Sequence, residues 1–258
     1  MGPSKKMHPQ KLHSFAAITF IFVFTSVVCA SETKVVVRRS VSERHRAELA
    51  DKLKLITGWR DLRFMPNGTL VLGTVRTSFG SSTARELLSR TVSGEHVILL
   101  EDATGRKDVA FCRVDATTWA NDLPGDRSVY VVLIDFADFK HVSGDRKARA
   151  AFDVGWAVLH EIDHVVENSV DPMFADETGE CESHINKMRQ ELGLPVRTDY
   201  YFSVLPVRSD SSFLISKFVR LGFDYHDRAS GKTKRYWLLW DAVVVGGLEF
   251  GAQTASLF

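Results

Sequence analysis

The stretch GWAVLHEIDHVVENSVDP places His160, Glu161 and His164 in the spacing HExxH. On a helix, residues four apart project from one side, about 6 Å apart along the axis, so both imidazoles can bind a single ion. Glu161 then stands beside that ion rather than on it, where it can take a proton from a water whose pKa Zn²⁺ has lowered to roughly 7. The chemistry is metal-assisted hydrolysis. The alternative is an accident of helix sequence, and the neighbours weigh against it. Phe152, Trp156, Val158, Leu159, Ile162 and Val165 make this an apolar helix, in which two imidazoles and a carboxylate without a partner are costly to bury.

The elements around the motif can be read from pattern. SGDRKARAAFDVGWAVLHEIDHVVENSVDP predicts one long helix, starting near Asp145 and ending before Pro172. Ahead of it, EHVILLED, DVAFCRVD and SVYVVLIDF are β-branched and aromatic runs that predict three strands of one sheet, the last of them central. Ala47, Leu49, Leu53 and Ile56 recur at helical spacing and predict a sheet-covering helix from about Val41 to Thr57, stopped by Gly58. Asn67-Gly68 signals a hairpin turn, and ARELLSRTVS a short helix capped by Ser82 or Thr83. Beyond the motif, DETGECESHINKMRQELGLP carries Cys181, Ile185, Met188 and Leu192 on one stripe, a second helix closed by Gly193 and Pro195. YYFSVLPV, SFLISKFVRLGF and KRYWLLWDAVVVGG have no dependable period, and Trp237 and Trp240 read as core. The class is α+β, a small mixed sheet packed against a long HExxH helix and a second ligand-bearing helix.

The bulk properties fit an ordinary globular protein: 258 residues, 45% apolar, 25% charged, net charge +1. Lys and Arg are interspersed with Asp and Glu, so no basic patch predicts nucleic acid as a partner. Residues 1–30 have the layout of a secretory signal peptide, with Lys5, Lys6 and Lys11, an apolar run from about Phe15 to Val28, and small residues at Ala30 and Ser31. The apolar run is shorter than the roughly 20 residues that span a bilayer, so cleavage would leave residues 31–258 exported, periplasmic or secreted, with no membrane span. The chain after residue 30 holds Cys112 and Cys181, which either form one disulfide or remain thiols.

VLHEIDHV resembles the active-site helix of the zincin metallopeptidases. That resemblance implies zinc held by His160 and His164, Glu161 as general base, and a third ligand downstream. The gluzincin branch, whose downstream ligand is acidic, fits best, because TGECESHIN follows on a second helix. It implies Glu180 as third ligand, with Glu182 the main rival and Asp176 or Glu177 also open. His184 stands one turn after Glu180, where that branch carries an acidic second residue. Residues 159–201 are also similar to short metallopeptidases found as bacterial toxins and injected effectors. The implied activity is hydrolysis of a protein or peptide substrate. The implied fold is zincin-like.

Two readings compete. HEIDH is also the motif of peptide deformylases, whose third ligand is an upstream Cys, and Cys112 lies 48 residues before His160 (160 − 112). A non-catalytic scaffold that keeps zinc for binding is the other. Asp163, the unusual fourth letter, needs a cation if buried, with Arg189 and Arg197 as candidates. Tyr200 and Tyr201 are candidate donors to the oxyanion of a tetrahedral intermediate.

Overall fold

A computed structural model describes residues 2, 34–116, 128–174, 177–205 and 217–245. The segment expected as a signal peptide lies outside the described residues, Gly2 apart, and so does Asp176. Strand β1 (Val35–Val37) leads into helix α1 (Glu43–Thr57), which closes at Gly58 in the left-handed region, as the sequence predicts, and opens two residues later than expected because Ser42 caps it. Asn67-Gly68 turns the β2 (Arg63–Phe64) and β3 (Leu70–Val71) hairpin. Helix α2 (Ser82–Ser93) starts one residue earlier than expected, because the Ser81 hydroxyl accepts from the Ala84 N–H at 2.9 Å.

The three runs expected to form one sheet do so as β4 (Val97–Asp102), β5 (Cys112–Ala116) and β6 (Val129–Ile134). Their sheet has the order β1-β4-β6-β5, with β1, β4 and β6 parallel and β5 antiparallel at the edge. β6 is internal, consistent with its buried Val132, Leu133 and Ile134.

The single long helix predicted from Asp145 is two helices. After the short β7 (Ser143–Gly144), α3 (Arg146–Ala150) stops and α4 (Val154–Glu167) begins afresh. The cause is Asp153, whose carboxylate accepts from the Gly155 N–H at 3.0 Å and the Trp156 N–H at 3.4 Å, an N-cap inside the apolar pattern. Carbonyls freed at the break are taken up. Trp156 Nε1 donates to Ala150 O at 3.0 Å, and Arg189 Nε donates to Ala151 O at 2.9 Å.

Helix α4 is the centre of the larger core, touching β5, β6, α1, α2 and α5 (Glu180–Glu191). Gly155 lets α1 approach, since a Cβ there would stand 2.8 Å from Lys52 Cβ and 3.1 Å from Ile56 Cδ1. Beyond α5, the segment without a dependable period forms a second, antiparallel sheet: β8 (Val196–Arg197), β9 (Ser203–Val204) and a long hairpin of β10 (Phe218–Asp227) and β11 (Lys232–Asp241). β7 pairs with β11, and a smaller core of Val219, Leu221, Phe223, Leu238 and Trp240 joins this sheet to α3. The protein is thus mixed α and β. No helix among the described residues is long and apolar enough to cross a membrane.

Candidate metal centre

His160 and His164 lie one turn apart on α4 with rings at 86° and Nε2 atoms 3.2 Å apart. Asp171 Oδ1 completes a triangle, 3.3 Å from each Nε2. Donor atoms about 2.0–2.1 Å from one tetrahedral ion stand about 3.3–3.4 Å from each other, so these three spacings suit a zinc-sized ion. Each ring is also turned the right way. His164 Nδ1 donates to Ser169 O at 2.9 Å, and His160 Nδ1 faces Glu182 Oε2 at 3.4 Å, so both lone pairs remain on Nε2.

Asp171 reaches the triangle because α4 ends abruptly. Asn168 takes φ 53° at the C-cap, a left-handed position that Asn tolerates, and the chain folds back over the last turn. Pro172 then packs against Gly179, where a Cβ would meet Pro172 Cδ at 2.5 Å. Tyr201 Oη anchors the same loop by donating to Pro172 O at 2.8 Å.

The surroundings favour positive charge. Burial pulls both imidazoles toward the neutral form, yet hydrogen bonds to Asp171 and Cys181 outweigh it, raising His160 well above its ordinary value and His164 to about 11. Burial opposes the charge on Asp171 too, but its bonds to the two imidazoles and to the Tyr200 hydroxyl hold it well below the carboxylate range. The same surroundings that favour protons on the imidazoles would favour a bound cation.

Glu161 is only 9% exposed and is aimed at the edge strand, accepting from the Val114 N–H at 2.9 Å. Burial raises its pKa, with the two imidazoles acting in the opposite sense. Beside it, Glu161 and His160 form one wall of a cavity of ≈ 160 Å³ whose other walls include Phe111, Cys112, Phe152, Phe202, Leu221 and Trp240. Phe111 adopts φ 61°, held there by its N–H to Asp138 Oδ2 at 3.0 Å and by its carbonyl, which accepts from the Asp135 N–H at 2.9 Å.

Comparison with protein-family models, curated proteins and solved structures finds no match for this chain.

Among the expected site residues, His160, Glu161 and His164 come together as the spacing predicts. Glu180 does not join them. It is exposed at the first position of α5, and Asp171 occupies the place expected for it. Glu177 is also exposed and outside the group. Glu182 is 1% exposed and sits behind His160, bonded to Arg189 Nη1 and, at 3.1 Å, to Arg197 Nη1. Despite burial, those guanidiniums keep its carboxyl well below the ordinary range, so it orients the imidazole as an anion.

Asp163 is 1% exposed, but its partners are the Ser169 hydroxyl at 2.7 Å and His184 Nδ1 at 2.9 Å rather than an arginine, since both arginines are committed to Glu182. His184 therefore lies behind the metal group. Tyr200 stacks on His160 with ring centroids 6.1 Å apart and hydrogen-bonds Asp171; burial and the Asp171 charge raise it far above an ordinary phenol, so it stays a donor. Cys112 and Cys181 are both free thiols, which removes the disulfide. Cys112 lines the cavity without joining the metal group, whereas Cys181 belongs to it. The missed residue is Asp171. Its signal was the Asn168-Ser169 helix stop, after which an acidic residue within one turn's reach can face back onto the motif.

Proposed function

We propose that the protein is an exported zinc-dependent peptidase whose ion is held by His160, His164 and Asp171. The observation carrying this reading is the triangle of donor atoms at 3.2, 3.3 and 3.3 Å, beside a buried Glu161 that belongs to no salt bridge with Arg or Lys among the described residues. Two imidazoles and one carboxylate are a zinc donor set, and three protein ligands leave a position for the reacting group. The zincin-like arrangement of HExxH helix and edge strand belongs to the same proposal.

Zinc bound there would supply Lewis acidity toward a peptide carbonyl and would bring the pKa of water to about 7. Glu161 takes the proton of the attacking water and hands it to the leaving amine, the Val114 N–H holding its carboxylate in place. The Tyr200 hydroxyl, kept protonated, turns from Asp171 and donates its single proton to the developing oxyanion. The ≈ 160 Å³ cavity takes an apolar side chain of the substrate, being close to the roughly 150 Å³ that accommodates benzene in an engineered apolar core.

The test is zinc content by mass spectrometry together with cleavage of a peptide library by the wild type and by Glu161→Gln. One zinc per chain in both, with cleavage only by the wild type, is expected. Zinc without cleavage by either form across broad libraries would favour the non-catalytic scaffold, and no zinc in either would overturn the proposal.

A further inference from the structure

We propose that Cys181 is a fourth protein ligand of this metal site, so that the ion is held by His160, His164, Asp171 and a thiolate. This rests on the metal reading of the same site. The ligand atoms of these four residues lie within 4.8 Å of one another. Cys181 is the second residue of α5, is 0% exposed, and presses its sulfur against the turn of α4 that carries His160. Its sulfur bonds weakly to His160 O at 3.2 Å, a carbonyl already serving the helix ladder, and also hydrogen-bonds the two imidazoles that face the site.

With a zinc–sulfur distance of about 2.3 Å and zinc–nitrogen distances of about 2.0–2.1 Å, tetrahedral coordination needs an N···S separation of about 3.6 Å. The sulfur is thus within roughly 1 Å of a coordinating position, a shift that a change in one side-chain torsion provides. On ligation the S–H bond breaks, its proton passes to solvent, and the sulfur electron pair goes to the metal.

The consequence is a softer site than two imidazoles and a carboxylate would make. A thiolate favours Zn²⁺, Co²⁺ and Cd²⁺ over Mg²⁺, Ca²⁺ and Mn²⁺. It also fills the fourth position, so substrate hydrolysis requires either a fifth ligand or departure of the sulfur. The fold therefore carries a thiol that holds the ion in a closed, non-hydrolysing coordination until substrate enters.

Cobalt substitution tests this without reference to activity. The metal-free protein is loaded with one equivalent of Co²⁺ and its near-ultraviolet spectrum recorded for the wild type and for Cys29→Ser, Cys112→Ser and Cys181→Ser. A sulfur-to-cobalt charge-transfer band in all but Cys181→Ser is the expected result. Stoichiometric cobalt in the wild type without that band would overturn the thiolate ligand and leave the three-ligand site standing. No cobalt bound at all would instead overturn the metal reading itself. If Cys181→Ser does not fold, the band in the wild type, persisting in the other two variants, assigns the sulfur.

Discussion

Ser169 links Asp163 to the metal group: its hydroxyl donates to Asp163 Oδ2 at 2.7 Å while its carbonyl accepts from His164 Nδ1 at 2.9 Å. The unusual fourth letter of HEIDH therefore acts through Ser169 to fix the direction of the His164 imidazole. Asp163→Ala should lower zinc affinity by about 10–100-fold, the usual effect of removing such a supporting partner. Competition against a chelator would measure it. Unchanged affinity would mean that the Ser169 carbonyl holds His164 unaided.

Asp171 and Glu180 give opposite expectations. Asp171→Ala should strip the ion or weaken its binding far more than Asp163→Ala, because a donor atom is lost outright. Glu180→Ala should leave zinc content untouched, since Glu180 is exposed at the start of α5. Metal analysis of the two variants side by side decides between them, and loss of zinc only in Glu180→Ala would restore the gluzincin-like assignment.

Tyr200 stacks on His160 and hydrogen-bonds Asp171, so removing its hydroxyl should separate catalysis from binding. Tyr200→Phe is expected to lower kcat by about 10²–10³, as loss of one oxyanion donor does, with zinc content and KM little changed. A fall in zinc content instead would place the hydroxyl in support of Asp171.

Glu191 joins the end of α5 to the start of α2, accepting from the Ser81, Ser82 and Thr83 hydroxyls at 2.5, 2.8 and 2.8 Å and from the Thr83 N–H at 3.1 Å. Burial is the largest single influence and opposes its charge, but together these bonds lower its pKa from 4.5 to about 2. A carboxylate depressed on folding contributes stability that is full above its unfolded value and lost as pH falls through the folded one. The Tm difference between the wild type and Glu191→Gln should therefore be constant above about pH 4.5 and shrink toward pH 2. A difference independent of pH over that window would show that the bonds do not need the charge.

The local devices were legible in the sequence because their causes are local. The Gly58 stop of α1, the Asn67-Gly68 turn, the three apolar strands and the His160–Glu161–His164 face each depend on residues within one turn or one strand of each other. The break at Asp153 was hidden inside a continuous apolar period, since a cap competes with helix propagation only when Trp156 and Arg189 are present to take the freed carbonyls. The β10–β11 hairpin was hidden for another reason: Val219, Leu221, Phe223, Leu238 and Trp240 alternate toward the core, but the apolar Phe218, Trp237 and Leu239 stand on the opposite face and blur the pattern.

By itself the sequence determined two imidazoles and a carboxylate on one face of an apolar helix, the starting point of the proposed metal-assisted hydrolysis. Tertiary structure decided who completes the site. Asp171 enters because Asn168 reverses the chain, Glu182 is withdrawn behind His160 because Arg189 and Arg197 claim it, and Cys181 arrives because α5 packs on α4. Each of these depends on the direction of a turn or the docking of a second helix. Such contacts bring together residues whose separation along the chain carries no period, so no spacing rule could have announced them.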